Sequence, residues 1–324
     1  MSAKTEFIMK PANMHRVDPE LLPLLERVPP VAFSARNLEL IRDTKLSLPV
    51  DAEIDEKVEM IRYTVPNTPA GPDVSVRYWR PKTKSAPLPC ILHIHGGGFV
   101  SGSAEASDPK CRELASKLNC IVASVEYRLA PEDRFPSALE DCFSVLSWLH
   151  AEARRLQIRP DRIGVMGESA GGGLAAALAL FTRDNVGPPL AFQHLIYPML
   201  DDRTCIDKNR PEHVGEHIWT SHNNAFGWSS LLGHEPGIPE TSCYAAPARA
   251  DSLADLPPAF ILTGELDLFA GENIEFARRL SHDGVATELH VYPGCFHAFD
   301  LSPDAEIAAR ARRCSRDALQ RALA

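Results

Sequence analysis

The chain has 324 residues, of which 44% are hydrophobic, and a formal net charge of −9 at pH 7. This size and apolar content are sufficient for one large buried core. The acidic balance, with no basic patch along the sequence, argues against nucleic acid or an anionic membrane as a partner.

Two kinds of targeting segment are also not expected. No apolar run approaches the roughly 18 residues that a membrane span requires. The amino end, Met1–Phe7, carries charge where a secretion signal needs an apolar core. We therefore expect a cytoplasmic protein.

The amino-terminal part of the chain predicts a polar helical segment followed by two strands. Asp18-Pro19 is typical of a helix start, and Val28-Pro29-Pro30 interrupts that helix. Strands are then predicted at Val58–Val65 and Val74–Arg80, joined by the turn-rich stretch 66–73.

From residue 90 onward, strands and helices alternate, which predicts an α/β fold with a mainly parallel, doubly wound sheet. The strands are predicted at Cys90–His95, Cys120–Val125, Arg162–Met166, Phe192–Tyr197, Ala259–Thr263 and Thr287–Tyr292. The helices are predicted at Pro109–Leu118, Pro136–Arg155, Gly172–Phe181 and Asn273–Asp283. With the two earlier strands, the sheet has eight strands.

A serine between two glycines follows the strand that ends at Met166, in the run Gly167-Glu168-Ser169-Ala170-Gly171. At so tight a strand-to-helix turn the serine backbone is strained, and only glycine fits two positions to either side. The helix that begins there aims free N–H groups at the site, which suits an oxyanion. This pattern predicts a nucleophile elbow, although by itself it also fits a plain glycine-rich turn before a helix.

A glycine triplet gives stronger support for hydrolase chemistry. The run His95-Gly96-Gly97-Gly98-Phe99 follows a buried-looking strand, so its backbone N–H groups can remain bare. Each preorganised donor to a developing oxyanion is worth roughly a hundred- to a thousandfold in rate. We predict Gly97, Gly98 and Ala170 as the oxyanion donors, with the histidine before the glycines as a hydrogen-bonding support for the loop.

Together these motifs resemble the hormone-sensitive-lipase-like branch of the α/β-hydrolases, which contains many bacterial esterases. The matching segments, in the order of that family, are His95–Phe99, Tyr127–Glu132, Phe135-Pro136, Glu140-Asp141, Gly167–Gly172, Leu195–Pro198, Gly264–Leu268 and Phe296–Phe299. The resemblance as a whole extends from about residue 17 to near the carboxyl end. The resemblance implies the α/β-hydrolase fold with a helical cap, and it implies a homodimer formed through the last strand, Thr287–Tyr292.

A serine nucleophile needs a histidine to take its proton and an acid to orient that histidine, and in this fold they follow the serine in the order acid, histidine. Four histidines are candidates for the base: His234, His282, His290 and His297. Only His297 follows a turn just beyond a strand, so we predict it as the base.

For the acid, three carboxylates follow the strand that ends at Thr263, namely Glu265, Asp267 and Glu272, and each could reach the site. The family resemblance selects Asp267. The chain departs from the family in having Leu268 where a proline often follows the acid and Gly271 where an aspartate is common. Glu168 replaces the usual aspartate or threonine before the serine, and we assign it no catalytic role.

The alternation of strands and helices breaks between residues 201 and 250. We predict that this stretch is a cap insertion, that residues 1–50 form an N-terminal cap segment, and that 51–200 and 251–324 form the catalytic domain. Four aromatic residues are interleaved here: Trp219, Phe226, Trp228 and Tyr244. They either line a pocket or hold a small cap together, and the sequence leaves both open.

No cofactor and no metal are expected. The eight cysteines contain no Cys-x-x-Cys pair, His93 and His95 alternate on a strand, and Gly167–Ala170 lacks the lysine of a phosphate loop. Cys295 lies two residues before His297, where it either packs or makes the protein sensitive to thiol reagents.

The sequence therefore predicts a carboxylic ester hydrolase that forms an acyl-enzyme on Ser169, with Asp267 and His297 completing the triad. The resemblance implies short- to medium-chain acyl esters, and activity should fall as the pH drops through about 6 to 7, where histidine ordinarily titrates. Two alternatives remain: hydrolysis of an amide, a carbamate or an acetylated sugar, and a small-molecule receptor on the same fold. Retention of all three triad residues argues against the receptor.

Overall fold

One sheet of eight strands organises the protein. The computed structural model describes residues 13–28, 30–43, 57–67, 71–82 and 87–324. The strands are β1 (Val58–Val65), β2 (Val74–Pro81), β3 (Leu88–Ile94), β4 (Ile121–Glu126), β5 (Ile158–Glu168), β6 (Gln193–Ile196), β7 (Ala259–Gly264) and β8 (Thr287–Tyr292). They lie in the order β1-β2-β4-β3-β5-β6-β7-β8. Strand β2 is antiparallel to β1 and β4, and the other neighbouring pairs are parallel. The predicted mainly parallel, eight-stranded sheet is confirmed.

The described residues also form nine α-helices. These are α1 (Leu22–Arg27), α2 (Leu38–Asp43), α3 (Asp108–Leu118), α4 (Ser137–Ala151), α5 (Ala153–Leu156), α6 (Ala170–Asp184), α7 (Ser221–Leu232), α8 (Ala270–His282) and α9 (Glu306–Leu323). The helix predicted at Pro136–Arg155 is in fact two helices, because the backbone of Glu152 leaves helical geometry at φ −98° and ψ 10°.

Three helices were not predicted from the sequence, namely α2, α7 and α9. Half of the six buried residues of helix α9 are alanines, the others being Ile307, Leu319 and Leu323, and small residues give a weak periodic signal. Helix α7 contains Gly227 in its interior, and glycine lowers any expectation of helix there.

Successive residues of the central strand β3 contribute to two different cores. Leu92 and Ile94 pack into one buried cluster, whereas Ile91 packs into another. Side chains alternate between the faces of a strand, and both faces of a parallel sheet are covered by helices. This explains why β3 reads as a nearly continuous apolar run.

The carboxyl ends of four parallel strands bring the predicted site residues to one edge of the sheet. Ser169 follows β5, Asp267 follows β7, His297 follows β8, and the glycine loop 96–98 follows β3. Ligands of open α/β sheets bind at this edge because loops from several strands converge there.

The described part of the N-terminal segment contacts the stretch predicted as the cap. The Asn223 side chain accepts from the Phe33 N–H (2.9 Å) and donates to the Val31 carbonyl (2.8 Å). Arg42 donates to the Val100 carbonyl (2.8 Å), just after the glycine loop. The predicted domain limits stay a prediction; their residues 1–12, 29, 44–56, 68–70 and 83–86 lie outside the described residues.

Among the helices of the described residues, none has the length and apolar character needed to cross a membrane.

Candidate functional site

The backbone of Ser169 is strained at the turn between β5 and α6. Its φ is 55° and its ψ is −121°, a conformation that residues with a side chain rarely adopt. An added Cβ at Gly171 would lie 2.1 Å from the Ile94 carbonyl oxygen, and one at Gly167 would lie 2.2 Å from the Gly171 carbonyl oxygen. The turn therefore requires glycine on both sides of the serine, as the sequence pattern predicts.

His297 bridges Ser169 and Asp267. Its Nε2 lies 2.9 Å from the Ser169 Oγ, and its Nδ1 lies 2.8 Å from the Asp267 Oδ2. The other oxygen of Asp267 accepts the Phe269 N–H at 2.9 Å, which holds the carboxylate in place. All three side chains are buried. A neutral imidazole in this position donates Nδ1–H to the carboxylate and presents Nε2 as the acceptor for the serine proton.

The two other candidate acids have different partners. Glu265 accepts the Gly294 N–H at 3.0 Å. Glu272 accepts the Leu200 N–H at 2.6 Å and the Thr204 hydroxyl, and burial raises its pKa well above the usual range. Glu272 therefore supports the chain after β6 and does not orient the histidine.

Within the described residues, none of the three other candidate bases has a hydrogen bond to Ser169. His234 and His282 are exposed. His290 pairs with Glu288 on the same strand at 2.8 Å. The tertiary structure thus favours His297, the histidine that the strand-end position predicts.

The glycine loop packs directly against the elbow. An added Cβ at Gly96 would lie 2.9 Å from the Glu168 carbonyl oxygen and 3.4 Å from the Ser169 Cβ. Within the described part of the chain, the N–H groups of Gly97, Gly98 and Ala170 donate to no protein acceptor. Such bare donors beside the serine are what an oxyanion hole requires.

Buried side chains support this loop from beneath. His95 Nδ1 lies 2.8 Å from the Gly96 carbonyl, and the Tyr127 hydroxyl donates to the His95 carbonyl at 2.9 Å. The two rings stack with centroids 4.2 Å apart. Burial lowers the pKa of His95 to about 4, so this histidine is neutral at pH 7. His95 therefore contacts the loop in the manner predicted from the sequence.

Two aromatic residues beside His297 were not identified from the sequence. The ring of Tyr197 lies 4.7 Å from that of His297, and the ring of Phe269 lies 5.3 Å from it. The Tyr197 hydroxyl donates to Asp300 at 2.8 Å, so its ring is held in position. Both residues follow strands at the functional edge of the sheet, and that position is the signal that could have identified them.

Glu168 takes part in a buried ionic cluster. Its carboxylate lies 3.0 Å from His93 Nε2 and 2.8 Å from Lys110 Nζ, and His93 Nδ1 lies 3.0 Å from the Ser124 Oγ. Burial opposes the charge on Glu168, but Lys110 and His93 hold its pKa well below the usual range. Glu168 makes these contacts rather than any with His297.

The four aromatic residues of the predicted insertion have different neighbours. Trp228 is buried against Phe99, and Tyr244 packs on Phe181, so both hold the stretch 201–250 against the rest of the protein. Trp219 lies 6.3 Å from the His297 ring. Phe226 lies 6.5 Å from Phe33, which in turn contacts Trp219.

The cysteines and one further cluster bear on the prediction of metal and thiol chemistry. All eight cysteines lie in the described residues as free thiols. Cys295 is fully buried and its burial raises the pKa of the thiol, which favours packing over reactivity. Glu288, His290 and Cys314 place ligand atoms within 4.8 Å of one another, but Arg321 already pairs with Glu288.

Comparisons with known proteins agree with this geometry. A family profile described as alpha/beta hydrolase fold matches residues 91–301, more than half of the chain. Esterase LipI of Mycobacterium tuberculosis is 34% identical over 287 residues, which are 87% of this chain and 88% of that protein. An arylesterase of Saccharolobus solfataricus is 32% identical over 263 residues, 78% of this chain and 85% of that protein.

Solved structures show the same architecture. A bacterial heroin esterase superposes with a TM-score of 0.87 at 40% identity and covers 96% of this chain and 99% of its own. Esterase LipW from Mycobacterium marinum superposes with a TM-score of 0.84 at 33% identity and covers 97% of this chain and 98% of its own. These similarities confirm the predicted fold class and the resemblance.

Proposed function

Because this chain belongs to the alpha/beta hydrolase fold family and its relatives are esterases, we propose that it hydrolyses carboxylic esters with Ser169 as nucleophile, His297 as base and Asp267 as the orienting acid. The single observation that carries this assignment is the bridge made by His297, 2.9 Å from the serine oxygen and 2.8 Å from the aspartate oxygen. Ester hydrolysis follows from the relatives, and the residue roles are our proposal.

The reaction proceeds in two halves. His297 Nε2 takes the proton of Ser169 as its Oγ attacks the ester carbonyl carbon, and the N–H groups of Gly97, Gly98 and Ala170 hold the resulting oxyanion. The tetrahedral species then collapses, the bond to the alcohol oxygen breaks, and the histidine gives its proton to that oxygen.

Water completes the cycle from the acyl-enzyme. His297 takes a proton from water, the resulting hydroxide attacks the acyl carbon, and the proton returns to the Ser169 oxygen as the carboxylic acid leaves. Asp267 keeps the Nδ1–H bond throughout and stabilises the imidazolium without taking its proton.

Esters with short to medium acyl groups are the substrates that we propose. A relative 31% identical over 234 residues is an ethyl acetate hydrolase from Pseudomonas putida, which supports a small acyl group. Amides, carbamates and acetylated sugars pass through the same oxyanion and are outcomes of the substrate test. No observation favours the receptor alternative.

The test compares the wild type with Ser169→Ala on aryl esters of two to twelve acyl carbons and detects a serine-reactive phosphonate adduct by intact mass. We expect Ser169→Ala to lower kcat by several orders of magnitude and to abolish the adduct. Ser124→Ala is the matched control, since Ser124 also contacts a histidine. This variant should keep both the wild-type kcat and the phosphonate adduct. Absence of turnover and of adduct in the wild type would overturn the proposal.

Two further expectations, a homodimer and a cytoplasmic location, also remain proposals. Strand β8 pairs with β7 on one side and ends the sheet, which supports a homodimer formed across β8. Light scattering after size exclusion tests it, and a monomer at micromolar concentration would contradict it. The eight free thiols support a cytoplasmic location, where thiols stay reduced.

A further inference from the structure

A strained tight turn presents Trp219 to the site. The Trp219 N–H donates to the His217 carbonyl at 2.6 Å, two residues back, which defines a γ-turn centred on Ile218. Ile218 has a φ of 59°, a rare conformation for a β-branched residue. Strain of this kind persists where the surroundings enforce it, and it clusters at sites that hold ligands.

The indole of Trp219 lies directly on the predicted oxyanion loop. An added Cβ at Gly98 would lie 2.1 Å from the Trp219 Cη2 and 2.8 Å from its Cζ2. Gly98 also has a φ of 62°, so two independent constraints require glycine there. The six-membered ring of the indole therefore packs against Gly98 on the side where a side chain would project, next to one of the proposed donors.

The ring is braced on its other sides. Its Nε1 donates to the Asn224 Oδ1 at 3.2 Å, and Phe33 packs edge-on with ring centroids 5.5 Å apart. The His297 ring lies 6.3 Å away, and Trp219 is only 6% exposed. A side chain held by a hydrogen bond and by aromatic contacts forms a rigid wall.

The chemistry of the ester indicates which part of the substrate meets this wall. The carbonyl oxygen lies at the N–H groups of Gly97 and Gly98, and the leaving alcohol must lie at His297 Nε2, where it receives its proton. The acyl chain and the leaving oxygen are both bonded to the carbonyl carbon. Because the leaving oxygen is held at His297, the acyl chain is the substituent left to extend along Gly98 and the indole packed on it.

We propose that Trp219 sets the upper limit of acyl length and restricts efficient substrates to short acyl groups such as acetyl. This inference rests on the proposed ester hydrolysis at Ser169. Trp219 makes no bond to the reacting atoms; it selects among substrates by volume, because a rigid ring cannot move aside for added methylene groups.

The experiment measures kcat and KM of wild type, Trp219→Ala and Trp219→Phe on aryl esters from acetate to dodecanoate. We expect Trp219→Ala to raise the octanoate-to-acetate ratio of kcat/KM at least about tenfold, since even one methylene group in a tight pocket changes selectivity roughly 10- to 200-fold. The gain should come mainly from a lower KM for octanoate. Trp219→Phe, which leaves a smaller ring, should give an intermediate ratio.

Tyr244→Ala is the matched control, because Tyr244 is a cap aromatic that packs on Phe181 instead of the site. It should keep the wild-type octanoate-to-acetate ratio of kcat/KM. A second series holds the acyl group as acetyl and lengthens the alcohol from methyl to hexyl, and Trp219→Ala should leave that preference unchanged within about threefold.

Several outcomes would overturn the inference. They are an unchanged acyl ratio in both Trp219 variants, a shift in the alcohol series instead of the acyl series, or an equal shift in Tyr244→Ala. Failure of the proposed function looks different, because then the wild type itself would neither turn over esters nor form the phosphonate adduct. If Trp219→Ala does not fold, Trp219→Phe decides the question.

Discussion

Two groups of a serine, a histidine and a carboxylate occupy different regions of this protein with almost the same distances. At the sheet edge, His297 lies 2.9 Å from Ser169 and 2.8 Å from Asp267. Within the sheet, His93 lies 3.0 Å from both Ser124 and Glu168, on strands where His93 and Ser124 are cross-strand neighbours.

The inner histidine, His93, has a raised pKa, and the two serines differ in backbone setting. Burial opposes the charge on His93, but the neighbouring Cys111 and Glu168 outweigh it and raise the pKa of His93 to about 10. A histidine that is cationic at pH 7 has no free nitrogen to accept a serine proton. Ser124 lies in the regular strand β4, whereas Ser169 occupies the strained elbow next to bare N–H groups.

The comparison shows that side-chain types and spacing are not enough to define a serine nucleophile. The histidine must be neutral, and the serine must lie where a substrate carbonyl can reach both it and an oxyanion hole. Within the inner group His93 has a structural role: together with Lys110 it neutralises the charge of Glu168, next to the elbow.

The largest expected effect is a difference in kcat between variants of the two histidines, His297 and His93. His297→Asn removes the proposed base, and we expect kcat on an aryl acetate to fall by a factor of about 10⁴ to 10⁶ with little change in the free energy of unfolding. His93→Asn should lower stability and leave kcat of the folded enzyme within about tenfold of the wild type. Comparable losses of kcat in folded His297→Asn and folded His93→Asn would contradict the different roles of the two histidines.

A second difference should be visible in the pH dependence of stability. The folded-state pKa of His93, about 10, is above the ordinary histidine value, so the folded protein binds the extra proton. The resulting stabilisation is present below about pH 6.5 and is lost as the pH rises towards 10. The wild-type free energy of unfolding should therefore decrease over this range, on the order of a few kcal/mol.

Urea denaturation at pH 6 to 10 measures this decrease, with His93→Asn as the comparison. The variant lacks the titrating group, so its free energy of unfolding should change less over the same range. Parallel curves for the two proteins would mean that His93 does not carry the extra proton.

The smallest effect concerns Lys110, which pairs with Glu168 of the inner group. Lys110→Met leaves the Glu168 carboxylate with His93 as its remaining cation, and Lys110 is itself 31% exposed. We expect a loss of about 1–3 kcal/mol in the free energy of unfolding, below the range for a fully buried pair. Lys117→Met is the matched control, because its exposed pair with Glu113 is worth less than about 0.5 kcal/mol. Equal losses in both variants would refute the role given to Lys110.

The sequence indicated the sheet and the elbow well, because these depend on local patterns. Alternating apolar runs predicted the eight strands to within a few residues, and the glycines around Ser169 predicted a turn whose steric need for glycine is visible in the structure. The turn after β8 pointed to His297. Helices α2, α7 and α9 were missed, since α2 has only six residues and since glycine in α7 and alanine in α9 give little periodic signal.

What the sequence by itself determined is therefore the fold class and the kind of chemistry, because strand periodicity and turn sterics are encoded within a few residues. The tertiary structure decided which side chains meet. It favoured Asp267 over Glu265 and Glu272, paired Glu168 with Lys110, and placed Trp219 against Gly98. Each of these contacts joins residues at least 30 positions apart, so strand order and packing, rather than any local pattern, bring them together.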